Sequence, residues 1–155
     1  MTTASQVSSD IKMKKILFVC TGNTCRSPMA EALFNHEANA DHFSASSCGI
    51  YGDGVSRLSA NACEVLKEKG IYFNHVSTPV SDKILSDADI IIGMTHKHAT
   101  SLIAMYPEYS EKIYAMPTDI SDPYGGDIET YRKCRDEIQE CVDVLIKTLC
   151  GESND

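Results

Sequence analysis

The feature that most constrains the fold is a short apolar run followed at once by a polar loop and an amphipathic segment. Residues 16–19 are apolar and rich in β-branched and aromatic side chains, which is typical of a buried parallel strand. The loop contains Gly22 and Asn23, residue types that tolerate a left-handed backbone. Ser27 is a favourable helix N-cap, and Pro28 suits the first helical position. This stretch therefore predicts a strand, a tight loop and a helix in direct succession.

Two side chains make this loop a candidate reaction site. A loop that curls over a helix N-terminus turns its backbone N–H groups inward and forms a seat for an anion of phosphate size. Cys20 stands where the strand ends, so these groups and Arg26 favour its thiolate form. Arg26 offers a planar fork of donors for two phosphate oxygens. The pattern predicts a nucleophilic cysteine in a phosphate-binding loop, and the alternative is a buried structural cysteine beside a surface arginine.

A second candidate group lies in the segment 122–126, Asp-Pro-Tyr-Gly-Gly. Phosphoryl transfer to a thiolate is slow unless the departing atom receives a proton. Asp122 is the candidate acid, because Pro123 fixes its backbone and the following glycines let the loop fold over a cleft. Tyr124 would then stand at the cleft wall and pack against a substrate side chain. The alternatives are a simple turn and a half-buried loop tyrosine.

The segments 20–28 and 122–126 together resemble the low-molecular-weight protein phosphatase family, and the similarity extends over nearly the whole chain. The segments 74–77 and 88–96, together with Thr24, are most similar to the bacterial branch of that family that hydrolyses phosphoarginine in proteins. The resemblance implies a single α/β domain with a four-stranded parallel sheet, flanking helices and a flavodoxin-like strand order. It also implies a two-step reaction through a cysteinyl phosphate.

The resemblance assigns catalysis to Cys20, Arg26 and Asp122, without a metal or another cofactor. Ser27 has two open roles, the helix N-cap and a hydrogen bond to the Cys20 sulfur that would make the sulfur a better leaving group. The residues expected to bind the phosphoryl group are Thr21, Gly22, Asn23, Thr24, Cys25, Arg26 and Ser27.

Further roles also follow from the resemblance alone. Asn23 is expected to hold the loop through a network with Ser47 and His75. Cys25 is expected to capture an oxidised Cys20 as a disulfide, and the alternative is a small apolar loop residue. Thr24 is expected to select phosphoarginine over phosphotyrosine, and its alternative role is to keep the shape of the loop.

Composition excludes several classes of function. The net charge of −8 and the pI of about 5.0 argue against nucleic acid as a partner. The seven cysteines are odd in number and irregular in spacing, which suits neither a disulfide framework nor a structural zinc site. No segment resembles a signal peptide or a membrane span. We therefore expect a cytoplasmic protein that acts on phosphorylated proteins, releases inorganic phosphate and does not bind membranes.

The rest of the chain alternates strand and helix patterns, which predicts a parallel sheet with right-handed crossovers. Ligands of such sheets bind beyond the carboxyl ends of the strands, where Cys20 lies. We expect one domain over residues 13–150, with a disordered tail at 1–12 and a short tail at 151–155. Strands are expected at 16–19, 43–48, 88–94 and 112–116, and helices at 27–39, after Ser59, after Ser81 or Asp82, after Thr95 and from Asp127 or Ile128.

Four alternative functions remain open on the sequence alone. The first is a phosphotyrosine phosphatase of the same family. The second is an arsenate reductase on the same fold, but no cysteine lies between Cys63 and Cys134, where that family keeps its relay pair. The third is a protein that carries phosphate on a loop cysteine without hydrolysing it. The fourth is a catalytically silent binding module for phosphorylated residues, against which the intact Cys20, Arg26 and Asp122 argue.

Overall fold

The fold is a parallel sheet with helices on both faces, and the computed structural model describes it over residues 13–151. The tail predicted at 1–12, and all of the predicted tail at 151–155 except Gly151, lie outside the described residues. In chain order the elements are β1 (Lys14–Cys20), α1 (Arg26–Glu37), β2 (Phe43–Gly49), α2 (Ala60–Lys67), α3 (Asp82–Asp87), β3 (Ile90–Gly93), α4 (His96–Met105), a 3₁₀ helix (Pro107–Lys112), β4 (Ile113–Ala115) and α5 (Ile128–Cys150).

The four strands are parallel and lie in the order β2-β1-β3-β4, which confirms the predicted flavodoxin-like sheet. Side chains of the central strand β1 alternate between two cores. Ile16 and Phe18 pack with α1, α2 and α5, whereas Leu17 and Val19 pack with α3 and α4. The next two strands along the chain, β2 and β3, lie on opposite sides of β1 in the sheet. The carboxyl end of β1, which carries Cys20, therefore lies at the switch point where ligands bind in such sheets.

Local capping explains where most helices begin. The side-chain oxygens of Ser59, Ser81, Thr95 and Asp127 each accept a hydrogen bond from the backbone N–H three residues later. Such a bond satisfies one of the N–H groups that a helix start leaves without a partner. These four predicted helix starts are confirmed. Within residues 13–151, no helix combines the length and the apolar character that a membrane crossing requires.

The start of α1 is different, and here the predicted N-cap was wrong. The helix begins at Arg26 rather than Pro28, and the N-cap is Cys25, which makes no side-chain capping bond. The Ser27 hydroxyl lies 2.9 Å from the Cys20 sulfur and accepts a hydrogen bond from Asn23 Nδ2 at 2.8 Å. It is therefore committed to the loop and not to the helix start. Pro28 still falls within the first turn, where its missing N–H breaks no helical bond.

Candidate active site

A small cavity of about 210 Å³ opens at the carboxyl end of β1. One side is formed by residues 20–27, which we call the phosphate loop. The other side is formed by residues 121–127, which we call the Asp122 loop. The structure thus brings the three expected catalytic residues to one cavity. The cavity lining consists of Cys20, Thr21, Gly22, Asn23, Thr24, Cys25, Arg26, Asp122 and Tyr124.

The Cys20 side chain is buried at the base of this cavity and is surrounded by donors. Its sulfur accepts a hydrogen bond from the Asn23 backbone N–H at 3.3 Å and lies 2.9 Å from the Ser27 hydroxyl. The neighbouring Cys48 thiol has its pKa raised to about 12, first by burial and then by the negative charge of Cys20. Cys48 therefore keeps its proton at neutral pH.

Arg26 lies in the first turn of α1 and is only 7% exposed. Its Nη1 donates to the backbone oxygen of Ile120 at 3.0 Å. Its Nη2 donates to the Thr21 hydroxyl at 3.5 Å and lies 3.7 Å from Asp122 Oδ2. These contacts hold the guanidinium at the edge of the cavity, with its position fixed from three directions.

Asn23 pins the centre of the phosphate loop. It is fully buried and has a left-handed backbone with φ of 59°. Its Nδ2 donates to Ser27 Oγ at 2.8 Å and to Ser47 Oγ at 3.0 Å. Its Oδ1 accepts from the Thr78 N–H at 2.8 Å and from His75 Nε2 at 2.9 Å. Every hydrogen-bonding position of the amide is therefore used, and the structure brings together the residues expected to support the loop.

The outer part of this network contains two titratable groups, His75 and Glu31. Because Asn23 Oδ1 can only accept, His75 carries its proton on Nε2. Burial lowers the pKa of His75, although its hydrogen bond to the Asn23 backbone opposes this. Ser47 Oγ donates to Glu31 Oε1 at 2.7 Å, and burial raises the pKa of Glu31 against the effect of that bond. Glu31 was not foreseen from the sequence.

Gly49 lets β2 approach the phosphate loop from behind. A Cβ atom at this position would lie 2.6 Å from the Thr21 carbonyl oxygen and 2.9 Å from the Asn23 Cβ. Either distance is shorter than real carbon contacts allow, so a side chain would displace the loop. The close packing of β2 under the loop therefore depends on glycine at this strand end.

Cys25 and Thr24 occupy the side of the loop that faces α2 and α5. The Cys25 sulfur lies 3.4 Å from Ser59 Oγ and 3.3 Å from the Tyr131 hydroxyl. Cys20 and Cys25 are both free thiols. Their pairing under oxidation stays a prediction. The Thr24 hydroxyl lies 3.7 Å from Cys25 Sγ, and the residue is half-buried where it lines the cavity.

The Asp122 loop is exposed. The Asp122 side chain is 55% exposed, and its Oδ1 accepts a hydrogen bond from the Tyr124 N–H at 3.1 Å. Gly125 has a positive φ of 81°, and the Gly126 N–H donates to the Pro123 oxygen at 2.8 Å to close the turn. Tyr124 lines the cavity and is 78% exposed rather than half-buried.

Comparison with known proteins decides the family. The family model of the low molecular weight phosphotyrosine protein phosphatases matches residues 15–154, nearly the whole chain. The chain belongs to this family.

Relatives of known name include both branches of the low-molecular-weight phosphatases. The chain is 38% identical over 143 residues to the protein-arginine-phosphatase of Bacillus subtilis, and the match covers 86% of this chain and 95% of the relative. It is 34% identical over 130 residues to the protein-tyrosine-phosphatase PtpB of Staphylococcus haemolyticus, covering 80% and 91%. The solved structure of the YwlE arginine phosphatase from Geobacillus stearothermophilus superimposes with a TM-score of 0.86 at 38% identity, covering 90% and 94%.

One buried group near the phosphate loop of this low-molecular-weight phosphatase was missed by sequence reasoning. His98, on α4, lies 2.9 Å from the Thr21 hydroxyl through its Nε2. The sequence offered a signal in the placement of this histidine three residues after the N-cap Thr95, which directs its ring back toward the strand ends. That signal is weak, because His96, one residue after the N-cap, does not contact the phosphate loop and pairs with Asp119 at 2.8 Å instead.

Proposed function

We propose that this low-molecular-weight phosphatase hydrolyses phosphoarginine in proteins, using Cys20, Arg26 and Asp122. The proposal is supported above all by the convergence of these three side chains on one cavity that Thr24 also lines. The cavity volume of about 210 Å³ suits a phosphoryl group and the first atoms of the side chain that carries it. The protein to which that side chain belongs remains outside.

In the first step, the Cys20 thiolate attacks phosphorus and forms an S–P bond as the P–N bond of phosphoarginine breaks. The electron pair of the P–N bond stays on the departing nitrogen. Asp122 gives its proton to that nitrogen and so neutralises the negative charge that would otherwise develop there. In the second step, Asp122 takes a proton from water as that water attacks phosphorus. The S–P bond then breaks, which restores the Cys20 thiolate and releases inorganic phosphate.

Arg26 and the loop N–H groups stabilise the transferring group in both steps, because negative charge on its equatorial oxygens persists throughout. The position of Arg26 supports this role, since the guanidinium is buried beside the cavity and held by Ile120 and Thr21. Ser27 supports the second step. Its hydroxyl can donate to the Cys20 sulfur at 2.9 Å and so stabilises the departing thiolate.

Preference for phosphoarginine depends on Thr24. Its hydroxyl can bind close to the reacting phosphorus and orient the attacking water, whereas a larger apolar side chain would crowd a guanidinium and suit a flat phenol. The protein-arginine-phosphatase of Bacillus subtilis and the YwlE arginine phosphatase support phosphoarginine as the substrate by their similarity to the chain. The cytoplasm is the compartment we propose, since all seven cysteines are free thiols.

The test is turnover of phosphoarginine and phosphotyrosine proteins side by side, for the wild type, Thr24→Ile and Thr24→Ser. We expect the wild type to prefer phosphoarginine. Thr24→Ile should lower phosphoarginine turnover and preserve or raise phosphotyrosine turnover, while Thr24→Ser, which keeps the hydroxyl, should retain the wild-type preference. A wild type that prefers phosphotyrosine, or a Thr24→Ile variant that loses both activities alike, would contradict the arginine assignment and leave the general phosphatase assignment standing.

A further inference from the structure

His98 lies behind the phosphate loop, in the first turn of α4, and is only 8% exposed. The two nitrogens of its ring have different partners. Nδ1 lies 2.9 Å from the Thr95 hydroxyl, which also caps α4 by accepting the His98 N–H at 3.1 Å. Nε2 points the other way and lies 2.9 Å from the Thr21 hydroxyl. The ring therefore connects the start of α4 to the phosphate loop.

The contact with Thr21 continues to the arginine of the site. Arg26 Nη2 donates to the same Thr21 hydroxyl, at 3.5 Å. The other contact of Nη2 is the ion pair with Asp122 at 3.7 Å, which belongs to an exposed loop. Of these two partners, only Thr21 is itself fixed by a buried side chain. We propose that His98 is a positioning residue for Arg26, which it orients toward the transferring phosphoryl group through the Thr21 hydroxyl.

The charges around the ring favour this role. Burial, and then the positive charge of Arg26, lower the pKa of His98 to about 4, with Lys97 acting in the same direction and Asp122 and Asp119 opposing. His98 is thus neutral at neutral pH. A neutral imidazole can hold the Thr21 hydroxyl without repelling the guanidinium one hydrogen bond away, which a charged ring would do.

Two amide variants separate positioning from helix capping. In the full chain, His98→Gln can place an amide group near the former Nε2 and keep the Thr21 contact, whereas His98→Asn can reach only the Thr95 side. For an aryl phosphate we expect His98→Gln to keep kcat/KM within about threefold of wild type. His98→Asn should lose about fivefold or more, as expected for a lost bond that orients a charged group. Inhibition by inorganic phosphate should weaken by a similar factor in His98→Asn. If His98 serves only the start of α4, His98→Asn will keep more of the wild-type kcat/KM than His98→Gln, and that result would overturn the proposal.

A second measurement keeps the proposal testable if either amide variant is unstable. Thr21→Val should lower kcat/KM, and Thr21→Ser should restore it. The double variant Thr21→Val/His98→Asn should lose no more than the worse of the two single variants, because both act through one chain of contacts. Losses that multiply would show that Thr21 and His98 act separately and would overturn the proposal.

The inference rests on the proposed role of Arg26, so Arg26→Lys provides the reference. Lysine cannot supply the bidentate fork, and most activity should be lost. Normal rates in Arg26→Lys would remove Arg26 from the mechanism and refute the proposed function itself. A strong loss in Arg26→Lys together with wild-type rates in both Thr21→Val and His98→Asn would overturn only the positioning role of His98.

Discussion

The phosphate loop and the Asp122 loop face each other across one cavity, but they are held in opposite ways. Cys20, Asn23, Arg26 and Ser27 are each no more than 7% exposed. The polar atoms of Cys20, Asn23 and Ser27 bond to β2, to the loop before α3 and to one another, and Arg26 donates to the Ile120 oxygen. The Asp122 side chain is 55% exposed, and its loop is closed mainly by hydrogen bonds within itself.

The anchoring of the two loops differs at their ends as well. The phosphate loop follows the central strand β1 directly and continues into α1, so both ends are part of the core. The Asp122 loop follows Ile120, whose N–H donates to Met94 at 3.1 Å, and ends at the N-cap Asp127. Between these two points Asn61 Nδ2 donates to the Gly126 oxygen at 3.3 Å.

The difference suits two chemical tasks. Groups that stabilise a transition state must already be in place, because reorganising them during the reaction costs free energy. A proton donor on the leaving-group side must instead admit a side chain attached to a whole protein, and mobile exposed loops serve this purpose. We therefore expect substitutions in the phosphate loop to affect all substrates, and substitutions in the Asp122 loop to depend on the leaving group.

The largest expected effect is that of Cys20→Ser, which should lower turnover about 1,000-fold or more, because a hydroxyl is far less ionised than a thiol. Binding of inorganic phosphate should persist, since Arg26 and the loop N–H groups are unchanged. Steady-state rates and phosphate inhibition measure the two effects. Cys150→Ser, at an exposed cysteine near the end of α5, is the matched control and should keep wild-type rates. Residual activity in Cys20→Ser above about a hundredth of wild type would contradict its role as the nucleophile.

Asp122→Asn should have the next largest effect, and the effect should depend on the substrate. Loss of a general acid costs about 100-fold where the leaving group is poor, as in phenyl phosphate, and much less for nitrophenyl phosphate. The rate of cysteinyl-phosphate formation, followed by rapid quenching, measures this directly. Asp119→Asn is the control, because this exposed carboxylate pairs with His96. Equal losses on both substrates would argue against proton donation by Asp122.

The same comparison explains which parts of the molecule could be predicted from the sequence. Helix starts at Ser59, Ser81 and Thr95 depend on a hydrogen bond to a residue three positions later, so a short stretch of sequence is enough to predict them. The β3 strand was predicted at 88–94 from its run of isoleucines and is observed at Ile90–Gly93. Cys20 and Arg26 could be proposed as nucleophile and phosphate-binding residue because one loop carries both, and the structure places both at one cavity.

Tertiary contacts account for what was missed. The N-cap rule applied to Ser27 failed because Asn23 and Cys20 engage its hydroxyl inside the loop. The contact between Thr21 and His98 joins residues 77 positions apart, and that between Arg26 and the Ile120 oxygen joins residues 94 positions apart. No local pattern reports such pairs. The support of the loop by Asn23, Ser47 and His75 was likewise implied only by family resemblance.

The smallest expected effect is on stability, and it sharpens the contrast by testing the buried side of the cavity alone. Since the pKa of His98 is lowered to about 4, its ring stays neutral in the folded protein while it charges near pH 6.5 in the unfolded chain. Unfolding therefore takes up a proton below pH 6.5. The contribution of His98 to stability is present above pH 6.5 and is lost as the pH falls from 6.5 toward 4. Between pH 7.5 and 5 this linkage amounts to about 2 kcal/mol. The free energy of unfolding can be measured with denaturant at pH 7.5 and at pH 5. Its decrease between these pH values should be about 2 kcal/mol smaller in His98→Gln than in the wild type. His36→Gln, at an exposed histidine of α1, should show the same decrease as the wild type. Equal pH dependence in His98→Gln and the wild type would mean that the ring behind the phosphate loop is charged in the folded protein.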